Sequence, residues 1–169
     1  MRKKNVNAEL IMRSFAMSLF ELMKTKPFNS ISITDICNNS GFGRTTYYRY
    51  FTNDKEQLLL FLAHSEWIRF RDEQITNGET DQHLILLECM YKHKDFFLLL
   101  HNLELDSIII KAMFNEISND SKSFSYPRSF LAGGNFGVAY QWILRGCTDS
   151  PSAIRAQLKL GLPEELFTR

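Results

Sequence analysis

The chain has 169 residues, of which 44% are hydrophobic and 13% aromatic, and 20 basic side chains stand against 19 acidic ones. Such a chain can bury one substantial apolar core, or two small ones that share a boundary. Eight glycines, four prolines and three widely spaced cysteines exclude collagen-like, mucin-like and disulfide-rich scaffolds. The apolar stretches are far shorter than the ~20 residues of a membrane-spanning helix. We therefore expect a cytoplasmic protein with reduced thiols and no membrane partner.

The charge is unevenly distributed along the chain. Residues 1–55 carry nine basic and four acidic side chains, a net charge of +5, whereas residues 56–169 carry a net charge of −4. A basic segment on an acidic body favours a polyanionic partner for the first segment only. Ordinary solvated charge remains the alternative on counts alone.

Apolar residues that recur with a period of 3.6 predict helices in the N-terminal part of the chain. We expect helices over residues 7–24, 34–40, 44–51 and about 55–75. Thr34 is the predicted N-cap of the second helix, Gly41 its C-terminal stop, and Gly43 the N-cap of the third helix. Asn53 and Asp54 are predicted to cap the fourth.

The remaining sequence is also helical in pattern, with no competing strand signal. Helices are expected near residues 81–93, 95–102, 105–117, 128–145 and 152–160, and the serine-rich stretch 119–127 is expected to be a mobile loop. The predicted class is all-α, with a boundary after residue 55.

Two short helices joined by a glycine turn between Thr34 and Phe51 are typical of a helix-turn-helix, whose second helix enters the DNA major groove. A rotation of ~100° per residue places Tyr47 and Phe51 on one buried face and Arg49 on the opposite face. Arginine suits guanine edges and phosphates, threonine suits bases, and tyrosine hydroxyls suit phosphate oxygens.

These residues carry a resemblance to a known family. The segments 33–37 (ITDIC), 40–51 (SGFGRTTYYRYF) and 55–59 (KEQLL) resemble the TetR/AcrR signature, over about the first third of the chain. The resemblance implies a DNA-binding head over residues 1–55 and a helical regulatory and dimerisation body over residues 56–169. It also implies transcriptional repression that a small molecule relieves.

The resemblance further implies a set of DNA-contacting residues. The residues implied to face the bases are Arg44, Thr45 and Arg49. Those implied to face phosphates or thymine methyl groups are Thr46, Tyr48 and Tyr50. Two more, Thr34 and Lys55, are implied to lie at helix N-termini against the DNA backbone. The chain departs from the family pattern in Cys37 and Ser40, in Gly43 at a serine-like cap, and in a turn before Lys55 that is one residue longer.

Large apolar side chains in the body are candidates for lining an effector pocket. They are Trp67, Phe70, Met90, Phe97, Met113, Phe114, Phe136 and Tyr140. A body of about 100 residues has little material to spare around a cavity. Simple filling of a small helical core is therefore at least as good an explanation of these residues.

Closely spaced glycines in the predicted helix 128–145 favour close approach of another helix, which offsets their cost of ~1 kcal/mol each. The C-terminal sequence also resembles the paired last helices of TetR-family chains. This resemblance implies a homodimer, with interface candidates Gly133, Gly137, Trp142 and Leu144. A twofold dimer would place its recognition helices ~34–36 Å apart and read a palindrome.

The sequence offers no comparable signal for catalysis. The four histidines match no zinc spacing, the cysteines lack CxxC pairing and are expected to be buried, and no phosphate-binding glycine motif is present. We expect no metal, no cofactor and no enzymatic activity. The leading hypothesis is a ligand-responsive repressor; the alternative is a DNA-bound adapter that a partner protein controls.

Overall fold

The computed structural model describes residues 2–118 and 126–161, and the α-helical prediction is confirmed throughout these two stretches. A 3₁₀ turn covers Phe28–Ser30. The α-helices are α1 (Arg2–Met23), α2 (Ile33–Ser40), α3 (Arg44–Tyr50), α4 (Glu56–Thr76), α5 (Gln82–Lys92), α6 (Lys94–Asn102), α7 (Asp106–Ser118), α8 (Tyr126–Leu144) and α9 (Pro151–Gly161). Residues 126 and 127 begin α8 rather than end a loop, and the rest of the predicted loop lies outside the described residues.

The N-cap of α2 differs from the prediction. Ser32 caps this helix through a capping box: its hydroxyl accepts the N–H of Asp35 at 3.1 Å, and the Asp35 carboxylate accepts the N–H of Ser32 at 2.9 Å. Thr34 lies inside the first turn instead, because the reciprocal pair with Asp35 is available only to the residue three positions before it. The predicted N-cap, Thr34, is therefore two residues later than the observed one, Ser32.

The turn between α2 and α3 follows the predicted glycine chemistry. Gly41 ends α2 with φ of 76°, the left-handed conformation that glycine adopts without a Cβ penalty. Gly43 is the N-cap of α3 in an extended conformation and has no side chain to offer. At the next junction the N-cap of α4 is Lys55, one residue later than predicted, although the Asp54 carboxylate accepts the N–H of Glu56 at 2.9 Å.

Helices α1 and α4 connect the two ends of the molecule. Helix α1 packs on α2, α3 and α4, and α4 packs in turn on α5 and α7. One apolar cluster runs from Phe15 and Tyr47 through Leu59 to Leu100 and Ile108. The predicted boundary after residue 55 is thus not marked by a break in the core.

The C-terminal helices close the other side of this core. Helix α5 packs on α9, and α7 packs on α8. The Arg155 guanidinium, only 5% exposed, donates from Nε to the Asp81 carboxylate at 2.6 Å, and the same carboxylate caps α5 by accepting the N–H groups of His83 and Leu84. None of the described helices combines the length and apolarity needed to cross a bilayer.

Candidate nucleic-acid interface

The short helix α3 is held against the core by aromatic rings. Tyr47 is completely buried and Phe51 is 5% exposed, as predicted. The ring of Phe15, on α1, lies 5.3 Å from that of Tyr47 in an edge-to-face arrangement and 5.7 Å from that of Phe42. Phe15 completes a cluster that fixes α3 to α1, and the sequence analysis missed it because its partners are about 30 residues away.

The opposite side of α3 faces outward. Arg44, Thr45, Tyr48 and Arg49 are exposed. The Tyr48 ring is 45% exposed and rests edge-on against the buried Tyr47 ring, 5.4 Å away. Within the described part of the chain, no hydrogen bond or ion pair engages the side chains of Arg44 or Arg49. Two unpaired guanidinium groups, a hydroxyl and a braced aromatic ring therefore share one accessible surface.

The remaining predicted DNA-contacting residues lie around this surface. Thr46 and Tyr50 are half-buried on the flanks of α3, and Tyr50 packs against the core. Thr34 is exposed on the first turn of α2, with its hydroxyl not used for capping. The predicted DNA contacts of Thr34, Thr46 and Tyr50 therefore stay predictions.

Lys55 has an internal role that the prediction did not include. Its Nζ donates to the carbonyl oxygens of Phe28 at 2.6 Å and Ile31 at 2.7 Å, and lies 4.6 Å from the centre of the Phe28 ring. Burial lowers the pKa of this ammonium group. Lys55 therefore ties the start of α4 to the 3₁₀ turn with two of its three N–H donors, and its predicted contact with the DNA backbone stays a prediction for the third.

The predicted effector-pocket residues do not form one lining. Trp67 and Phe70 pack with Ile85 and Cys89 in a small cluster of their own. Met90, Phe97 and Phe136 belong to or pack against the main cluster. Phe114 is half-buried and Tyr140 stacks on Phe136 at 5.6 Å, while the side chain of Met113 lies outside the described residues. Five of the eight candidates are thus divided between two clusters, because α4 and α5 bury Trp67 and Phe70 locally.

An open groove of about 510 Å³ lies instead between α8 and α9. Its lining consists of Gly134, Gly137, Val138, Gln141, Trp142, Arg145, Asp149, Ile154, Gln157 and Leu158. None of the predicted pocket residues contributes to it, but two predicted dimer residues do. Its rim carries an ion pair of 4.0 Å between Arg145 and Asp149.

The four predicted dimer residues have different environments. Gly133 and Gly137 are exposed, and a Cβ built on either would meet nothing within 4 Å. Leu144 is 48% exposed. Trp142 is only 3% exposed, stacks on Tyr91 at 5.8 Å and lines the groove, so its predicted role in a dimer stays a prediction.

A buried carboxylate lies where the N-terminal helix meets the C-terminal helices. Glu66 on α4 accepts from Nε of Arg13 at 2.9 Å through Oε1, and pairs with Arg69 through Oε2. Nε2 of His93 lies 3.6 Å from the same Oε2. Burial opposes ionisation of Glu66, but the hydrogen bond and charge of Arg13 and the charge of Arg69 outweigh it and lower the pKa.

The cysteines and histidines show packing and pairing roles. All three cysteines are free and buried, as predicted, and burial raises the pKa of each thiol, that of Cys89 to about 12. His101 pairs with Asp106 at 2.9 Å. Across residues 2–118 and 126–161, no three His, Cys, Asp or Glu side chains are grouped as metal ligands would be.

The chain matches no protein-family model, and a search of curated proteins returned no significant match. The resemblance to the TetR/AcrR signature therefore rests on the residues themselves.

Proposed function

We propose that the protein is a DNA-binding transcriptional regulator of the TetR/AcrR kind, which acts as a repressor and binds a palindromic operator as a homodimer. The observation that carries this proposal is the outward face of α3. There Arg44, Thr45, Tyr48 and Arg49 are exposed together on a short helix that Tyr47 anchors in the core. In this proposal α2 and α3 form a helix-turn-helix with α3 in the major groove.

The chemistry of this face suits a duplex better than it suits a protein partner. Arginine pairs with guanine edges or phosphates, and threonine and tyrosine hydroxyls reach bases and phosphate oxygens. The segment that carries α3 has a net charge of +5, whereas residues 56–169 have a net charge of −4. The field of the N-terminal segment therefore favours an approach to DNA through α3.

The groove between α8 and α9 supports the homodimer. Gly133 and Gly137 offer close backbone approach to another helix, and no described residue of the chain takes that space. Phe130, Leu144 and Leu160 add exposed apolar surface on the same two helices. In the proposal a second copy covers this face and sets the separation of the two recognition helices, as a twofold dimer requires.

The proposal is tested by selecting binding sites from random duplex DNA with the purified protein, repeated over a salt series. We expect an enriched palindrome whose half-sites lie about one helical turn apart, with affinity that falls steeply as salt rises. A folded dimer that enriches no sequence would contradict the proposal.

Single substitutions on α3 identify the contacts. Arg44→Ala and Arg49→Ala should each weaken operator binding by ~1–3 kcal/mol if the guanidinium contacts a base. Lys159→Ala is the matched control, because it also removes one exposed positive charge but lies on α9. Titration of labelled operator measures all three variants; an arginine variant that binds as tightly as Lys159→Ala would exclude that residue from the interface.

The second candidate is a DNA-bound adapter that a partner protein controls instead of a small ligand. It is favoured by the division of five of the predicted pocket residues between two apolar clusters. Operator-bound protein can be exposed separately to the small-molecule and the macromolecular fractions of a cell extract. Release by the small-molecule fraction would support a ligand-responsive repressor, and release by the macromolecular fraction alone would support the adapter.

A further inference from the structure

The two carboxylate oxygens of Glu66 contact different parts of the molecule. Oε1 accepts from Arg13, which lies on α1 in the same helix as the Phe15 ring that anchors α3. Oε2 faces Arg69 on α4 and His93. One buried side chain thus touches both the N-terminal helix and the C-terminal body.

His93 occupies the break between two helices. It is the C-cap of α5 and the N-cap of α6 at once, with φ of −106° and ψ of 23°. Any change in the angle between α5 and α6 therefore moves the imidazole relative to Glu66. Helix α5 is also tied at its other end to α9, through the Asp81–Arg155 pair.

A charge in this position is costly unless its partners keep their geometry. Glu66 is 7% exposed, and a buried carboxylate that loses a partner is left with an uncompensated charge. The carboxylate consequently resists independent movement of α1, α4 and the α5–α6 break. One turn further along α4, Phe70 packs against Ile85 and Cys89 of α5 and so holds α4 to α5 beside Glu66.

We propose that Glu66 is a positioning residue that couples the α5–α6 break to α1 and so fixes the orientation of the α3 surface relative to α8 and α9. Its effect on DNA binding rests on the proposed function: the coupling would set which spacing of half-sites a dimer accepts. The intramolecular part of the proposal does not depend on DNA.

The principal variant is Arg13→Gln, which removes the α1 partner and leaves Glu66 paired with Arg69. Glu66→Gln is the second variant. The matched control is Glu21→Gln, which breaks the exposed pair of 2.8 Å between Glu21 on the last turn of α1 and Lys24 just beyond it, and removes no ion pair to the body. Arg13→Gln keeps the test informative even if Glu66→Gln fails to fold.

The first readout is a distance distribution by pulsed electron paramagnetic resonance. Spin labels are attached to cysteines introduced at the exposed positions Asn39 on α2 and Ala156 on α9, and labelled protein is diluted with unlabelled protein to isolate distances within one chain. We expect a narrow distribution for the parent and for Glu21→Gln, and a broadened or shifted one for Arg13→Gln. Equal distributions for Arg13→Gln and Glu21→Gln would overturn the proposal.

The second readout uses the selected palindrome and versions with one base pair added or removed at its centre. We expect the preference of the parent for its native spacing to fall by ~3-fold or more in Arg13→Gln, a change in the range seen for coupled contacts. An undiminished preference would overturn the link between Glu66 and operator spacing. If the parent binds no DNA, the proposed function fails, and the distance measurement still decides whether Glu66 couples the two parts.

Discussion

At the scale of single residues, the Tyr47 hydroxyl is buried without a hydrogen-bond partner among the described residues. Burial raises the pKa of this phenol to about 12, so it stays protonated. An unpaired buried hydroxyl has lost its water without gaining a replacement. Its ring, in contrast, packs edge-to-face on Phe15 and contributes to the core.

Tyr47→Phe should therefore leave the free energy of unfolding unchanged or raise it by up to about 1 kcal/mol, because the ring is kept and the unpaired hydroxyl is removed. Tyr47→Ala should lower it by about 3–5 kcal/mol through loss of the ring. Urea unfolding measures both. A marked loss of stability in Tyr47→Phe would show that the hydroxyl has a partner after all.

His93 should make stability depend on pH. Burial is the main cause that lowers its pKa below 6.5; Lys92, Arg69 and Arg13 add to this effect, and Glu66 opposes it. The unfolded chain therefore binds the proton more readily than the folded one, so the contribution is fully present above about pH 6.5 and is lost as pH falls through the folded value. Stability should decrease between pH 7.5 and 5.5.

Urea unfolding of the parent and of His93→Gln at pH 7.5 and pH 5.5 measures how much the free energy of unfolding of each protein changes. The variant has no imidazole, so its stability should fall less over this interval. Parallel decreases in the two proteins would mean that other groups cause the dependence.

At the scale of secondary structure, the capping box of α2 predicts a difference between neighbouring residues. Ser32→Ala should destabilise the protein by about 1 kcal/mol, because the N–H of Asp35 loses its acceptor. Thr34→Ala, two residues away on an exposed turn, is the control and should change stability by much less. Thermal or urea unfolding distinguishes the two; equal losses would argue against Ser32 as the cap.

The helix boundaries that were predicted correctly are those fixed by a single residue or by its near neighbours in the sequence. Gly41 ends α2 as expected, because a positive φ is a property of one residue. The Ser32 cap was missed although its partner is only three residues away, since Thr34 and Ser32 are chemically equivalent choices. The α3 face followed from helical periodicity alone.

Contacts between distant residues were beyond sequence reasoning. The tie from Lys55 to the carbonyl groups of Phe28 and Ile31, and the pairing of Arg13 with Glu66, join residues 24 to 53 positions apart. Nothing in the periodicity of either helix specifies such partners. Residue type likewise indicated apolar volume in the body, but not that Trp67 and Phe70 would pack apart from Met90 and Phe97.

At the scale of the whole molecule, two surfaces face away from the shared core: the exposed face of α3 and the groove between α8 and α9. Helix α4 spans the distance between them and packs on α1, α5 and α7. If a second copy covers the groove, the position of each α3 in the dimer depends on this helix and on the contacts of Glu66. Under the proposed function, operator spacing and dimerisation would therefore be linked properties.

Gly137→Gln tests the dimer directly. A Cβ at this position meets nothing within 4 Å in the chain, and replacing a helical glycine removes a cost of ~1 kcal/mol, so the monomer should fold at least as well as the parent. In a closely packed dimer the new side chain would hold the two α8 helices apart. Sedimentation should then show a shift towards monomer, with operator affinity reduced and salt dependence shallower.

The control is Ser107→Gln, which adds a longer side chain to an exposed position of α7, on neither of the helices that form the groove. It should remain as dimeric as the parent. A Gly137→Gln protein that sediments like Ser107→Gln would place the dimer contact elsewhere. The exposed glycines of α8 would then need another explanation for their helix-propensity cost, which no contact within the described chain offsets.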